Sequence, residues 1–162
     1  MVKKLQAIKA KKGFTLVELI VVIAIIGVLA AILIPTLSGV IESSRKRSAE
    51  STCQSLQNMA KTYASTVMSK TGALCTASST VDMDEDGITS TTMQAYIERQ
   101  LPEITASGST KGAAITLSNG NVSKVVYTEG AFTATWTSSD GFKGAEKNAA
   151  DAAAAGAVTI SE

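Results

Sequence analysis

One carboxylate stands inside the longest apolar run of this chain. Between Phe14 and Ile34 only Thr15 and Glu18 are polar. A charged acid in hydrocarbon is costly and persists where a positive group can reach it. No basic residue lies within the run. The lysines that precede it are the plain partner for Glu18. A free amine made by cleavage just before Phe14 would lie one helical turn away, and is the sharper one. The chemistry on offer is pairing rather than catalysis. An acid is held for an amine, on its own chain or on a neighbour in a parallel array of helices.

A second acidic stretch suggests metal binding. Asp82, Asp84 and Asp86 alternate, and Gly87 follows them. That spacing converges oxygens on a hard cation such as calcium, with the backbone carbonyl at Ile88 as a further ligand. The place of the closing bidentate acid is held by Met93. The plain alternative is a solvated acidic loop beside a helix that starts near Thr91. Cys53 and Cys75 form no Cys-x-x-Cys. They are read as a disulfide made outside the cytoplasm, or Cys53 as a buried free thiol.

The chain has no histidine, which removes the usual general base and the commonest transition-metal ligand. It has no Gly-x-Ser-x-Gly elbow. We therefore expect no enzyme and no required cofactor, calcium being the one candidate. Arg45, Lys46 and Arg47 form a basic triplet, read as a solvated helix face rather than a nucleic-acid contact.

These groups need elements to position them. Residues 1–13 carry five lysines and no acid, a basic leader that keeps its end of the chain in the cytoplasm. The run over 14–35 is long enough, as a helix, to cross the ~30 Å hydrocarbon layer of a bilayer. Over 36–70 an apolar stripe recurs at Ala49, Cys53, Leu56, Ala60, Tyr63 and Val67, at helical spacing, and Gly72 is its stop. Residues 71–102 read as a loop with the acidic stretch and a short helix, about Thr91–Gln100, ending at Pro102. Residues 113–137 read as an antiparallel meander: Ala113–Leu117, a turn at Asn119-Gly120, Val122–Thr128, then Ala131–Thr137 with Phe132, Ala134 and Trp136 on one face. Residues 138–162 are Ala-rich. Lys147–Ala155 suits a helix by propensity, Val158–Ile160 suits an edge strand, and disorder is the alternative. The fold class is α+β: a long N-terminal helix, its first half membrane-spanning, packed on a small antiparallel sheet.

Lys11-Lys12-Gly13-Phe14-Thr15-Leu16-Val17-Glu18, with Gly27 and Pro35, resembles the N-terminal signal of type IV pilins and type II secretion pseudopilins over about residues 9–40. The resemblance implies a lollipop-shaped subunit and cleavage between Gly13 and Phe14 by a membrane-embedded prepilin peptidase. It implies N-methylation of Phe14 and assembly into a helical homopolymer by a platform and ATPase. Before assembly the subunit would sit in the cytoplasmic membrane among lipids, N-terminus inward; afterwards it would lie on a surface pilus. Glu18, Phe14, Gly27 and Pro35 would serve assembly. Gly27, Ala24, Ala30 and Ala31 give a small-residue face for close packing, and Pro35 weakens the preceding turn. A major pilin is the leading expectation, a major pseudopilin the runner-up, and a monomeric membrane-anchored binding module the competitor from another class.

Overall fold

The computed structural model describes residues 14–83 and 91–162. By internal contacts the chain divides into two compact units, Met1–Ile41 and Glu42–Glu162. Helix α1 runs Leu16–Thr71 and contains Pro35.

In the first unit the side chains from Phe14 to Ile41 are exposed apart from a half-buried Ala30. This surface is almost wholly apolar, and the most hydropathic stretch of α1 has no buried residue. A helix apolar on all sides fits a membrane or a bundle of its own kind. α1 is continuous through Pro35, although proline denies the Ala31 carbonyl its usual donor. Hydroxyls bond to the carbonyls that follow: Thr36 Oγ1 donates to Leu33 O at 2.9 Å and Ser38 Oγ to Ile34 O at 3.2 Å.

In the second unit the expected stripe is the buried face. Ala49, Cys53, Leu56, Ala60, Tyr63 and Val67 are all 0–2 % exposed. Gly72 ends the helix in the left-handed region, φ 68°, its N–H reaching Met68 O at 2.9 Å. What covers the stripe is a five-stranded sheet of β3 (Lys111–Ser118), β4 (Asn121–Glu129), β5 (Phe132–Thr137), β6 (Gly141–Lys147) and β7 (Val158–Ser161), in the order β6-β5-β4-β3-β7. β3 to β6 form an antiparallel meander, and β7 pairs parallel to β3. Asn119 and Gly120 both take positive φ, 50° and 77°, as a two-residue hairpin turn requires. Ile115, Leu117, Val125, Tyr127, Phe132, Ala134 and Trp136 join the helix stripe in one core. Lys61 Nζ lies 4.4 Å from the centre of the Trp136 ring, a cation–π contact that covers the sheet's end.

Several expectations are corrected. The helix placed at Thr91–Gln100 begins at Met93 (α2, Met93–Gln100), and Thr92 caps it by accepting from Ala95 N at 3.3 Å. Thr91–Thr92 instead form β2, antiparallel to β1 (Thr80–Val81). Pro102 does not merely stop α2. It sits in the first turn of α3 (Pro102–Thr105), where its missing N–H costs nothing. Lys147–Ala155 is not helical. It begins a segment that leaves β6 at one edge of the sheet and reaches β7 at the other. Two glycines and three charges leave β6 without a strand-like apolar pattern (Gly141, Lys143, Gly144, Glu146, Lys147).

The Cys53–Cys75 disulfide is not formed; both thiols are free and buried. The rise of α1 explains why. From Cys53 to Thr71 the helix climbs about 27 Å. The four residues to Cys75 can return at most about 14 Å. Their Cα atoms therefore stay well beyond the ~7 Å limit for a bridge. The Cys53 thiol instead faces the Val125 and Ala134 carbonyls, at 3.8 and 3.6 Å.

Candidate functional site

The candidate site begins where α1 begins. Thr15 occupies the N-cap position and Glu18 the third helical residue. Thr15 N and Thr15 Oγ1 each donate to Glu18 Oε2 at 2.8 Å, and Glu18 N donates to Thr15 Oγ1 at 3.3 Å. This reciprocal arrangement is a capping box. It satisfies two N–H groups that the start of a helix otherwise leaves without partners. The signal is legible in the sequence as Thr-x-x-Glu. Both Thr15 donors use Oε2, and a carboxylate has acceptor capacity on each oxygen. Oε1 can thus take a further donor without breaking the cap.

Phe14 stands at the head of the helix, 85 % exposed. Gly13 lies outside the described residues, as do Asp84, Asp86 and Ile88. Gly27 is in mid-helix, and a Cβ there would meet nothing within 4 Å. Within a single subunit its lack of a side chain is not demanded by packing. Pro35 lies inside α1 as described.

In the second unit, the acidic loop is clamped at both ends. β1 and β2 pair Thr80 with Thr92 and Val81 with Thr91. From α1, the Tyr63 hydroxyl reaches Ser79 O at 2.7 Å and Thr91 O at 2.5 Å. Lys70 Nζ donates to Asp82 O at 2.6 Å. The α1 stripe thus anchors both strands that flank residues 82–90. Tyr63 is read from sequence only as a core residue; its hydroxyl is the part that spacing does not show. Burial pushes that hydroxyl's pKa up to about 12 from 10.0.

Glu50 is a further residue that the sequence did not single out. Its Oε1 accepts from Ala145 N at 2.8 Å, fastening the irregular middle of β6 to α1. The polar groups of this unit therefore tie elements together. Among the described residues no three His, Cys, Asp or Glu side chains gather to hold a metal ion.

Comparison with known proteins places the match at the N-terminus. Residues 8–34 match the prokaryotic N-terminal methylation motif. The type II secretion system core protein G of Escherichia coli (strain K12) is 42 % identical over 59 residues, 36 % of this chain and 41 % of that protein. A fimbrial protein of Pseudomonas aeruginosa is 74 % identical over 27 residues, 17 % of this chain and 18 % of that protein. The chain thus spans less than half the length of these relatives. No solved structure matches it significantly. The motif thus sits on an exposed apolar helix that packs farther along on a small sheet, and over this N-terminal part the chain is similar both to a type II secretion core protein and to a fimbrial protein.

Proposed function

We propose that this chain is the major structural subunit of a type IV pilus. A prepilin peptidase cuts between Gly13 and Phe14, the new amine is methylated, and a platform and ATPase draw the subunit from the cytoplasmic membrane into a helical homopolymer on the cell surface. The observation that supports this reading is Glu18. It lies in an apolar helix surface exposed from Phe14 to Ile41, and its cap occupies only one carboxylate oxygen. In a dry bundle, an acid with spare acceptor capacity favours a site opposite a neighbour's amine. Misregistered subunits would leave both charges without partners, so the pair sets register while dispersion and small residues favour close packing. The role is structural, and a Thr-, Ser- and Ala-rich exposed surface suits a surface fibre.

The test is Glu18→Ala. The variant should accumulate in the membrane and fail to appear in sheared fibres; wild-type fibre yield would overturn the reading. The second reading is a major pseudopilin, favoured by the longer match to secretion protein G. It would carry calcium on Asp82, Asp84, Asp86 and the Ile88 carbonyl. Electron microscopy of sheared cell-surface material separates the two, since a pseudopilus would stay within the envelope. Calorimetry of the full chain in detergent with calcium and then chelator tests the ion, and no heat at millimolar calcium would exclude it.

A further inference from the structure

The segment from Asn148 to Ser161 is built differently from the sheet it completes. It leaves β6, crosses the face of the sheet opposite α1, and ends as β7 beside β3. Its residues are small: Ala149, Ala150, Asp151, Ala152–Ala155, Gly156 and Ala157. Ala153 and Val158 are its buried residues; Val158 joins the main core and the partly buried Ile160 packs against it. Ala153 and the outward-facing Val126 are buried but lie outside the main core cluster. The rest of its hold is polar. Asn148 N donates to Ala131 O at 2.8 Å, Ala153 N to Thr128 Oγ1 at 2.9 Å, and Gly156 N to Lys111 O at 2.7 Å. Asp151 pairs with Lys124 at 2.9 Å. By contrast, β3, β4 and β5 each place two or more large buried side chains in the core shared with α1.

We propose that residues 148–161 are a releasable clasp, opening as a unit while α1 and β3–β6 stay folded. Free energies of local opening follow buried apolar contact, and the clasp, with Ala153, Val158 and the partly buried Ile160, has less of it than β3, β4 or β5. Release uncovers Val126, the hydrogen-bonded Thr128–Thr133 hydroxyl pair and the edge of β3, which becomes able to pair with another extended segment. The closed state depends on Gly112. A Cβ there would lie 2.1 Å from Ala154 O, so the clasp backbone occupies the space a side chain needs.

The test is hydrogen exchange on the full chain in detergent micelles, and it does not depend on fibre formation. Amides of Ala153, Gly156 and Val158–Ser161 should exchange at least a hundredfold faster than those of β4 and β5. Gly112→Ala should abolish protection in the clasp and preserve it in α1, β4 and β5. Thr116→Cys with Ser161→Cys joins register partners whose hydroxyls lie 3.3 Å apart. Once oxidised, it should bring clasp protection up to that of β4. Equal exchange in clasp and β4 overturns the proposal. So does loss of protection throughout the sheet in Gly112→Ala, or a bridged variant whose clasp still exchanges fast.

Discussion

Tyr63→Phe removes one oxygen and leaves the ring in place, including its tilted contact with Tyr96 at 6.0 Å between centroids. The hydroxyl has one proton and serves two carbonyls, Ser79 O and Thr91 O, one beside each strand of the β1–β2 ladder. Without it both carbonyls lose that donor in a partly buried place. A lost hydrogen bond with acceptors left short of a partner costs about 1–2 kcal/mol. For a unit of this size that lowers the melting temperature by about 4–8 °C. In urea the midpoint should fall by roughly 0.5–1 M with an unchanged slope, since little extra surface is exposed. The loss should also be local. Amides at residues 79–83 and 91–92 should exchange faster, while those of β4 and β5 should track only the global change. The assay is equilibrium urea unfolding of the full chain in detergent, paired with hydrogen exchange. A stability loss below about 0.3 kcal/mol, with unchanged exchange around β1 and β2, would refute the claim that this hydroxyl clamps the acidic loop.

Four further outcomes follow from the core and its charges. Leu56 is 0 % exposed in the middle of the α1 stripe, so Leu56→Ala should cost about 2–5 kcal/mol by urea unfolding. Burial pushes the Cys53 thiol up to about 12 from 9.0, and the Tyr63 and Tyr127 hydroxyls up to about 12 from 10.0. The unfolded chain therefore releases protons first. Stability should be level with pH up to about 9 and then fall as pH rises towards 12, measured by urea unfolding across that range. At pH 8 a thiol reagent should label neither cysteine until the chain unfolds. Lys124 holds the Asp151 carboxyl below its ordinary 3.8. That contribution is present above pH 4 and disappears as pH falls through the lowered value. The pair is partly exposed, at 38 and 43 %, so Asp151→Asn should cost at most about 1 kcal/mol at neutral pH, and less in high salt.

Periodicity made the helix stripe and three strands of the meander legible, because a single buried face imposes one spacing on each. Phe132, Ala134 and Trp136 are inward at a period of two, and Leu56, Ala60 and Tyr63 at helical spacing, for that reason. The clasp resisted such reading. Alanine favours helix in isolation, yet here small side chains let a crossing backbone lie flat on the sheet, and tertiary contact overrides propensity. β6 has no continuous apolar face, and its fastening to Glu50 spans 95 residues of sequence. The disulfide could have been excluded beforehand by the helical rise between Cys53 and Gly72. At the site, the type and position of Glu18 were legible. Its cap by Thr15 is equally legible as Thr-x-x-Glu, a pattern that the apolar surroundings of the acid overshadow.

In the proposed fibre, trimming exposes a chain start at Phe14 that Glu18 of a neighbour can meet. Mass spectrometry of this polypeptide from sheared natural fibres reads that chain start. The subunit should begin at Phe14 with one added methyl group and none of residues 1–13. Fibres whose subunits still carry the lysine-rich leader would contradict it.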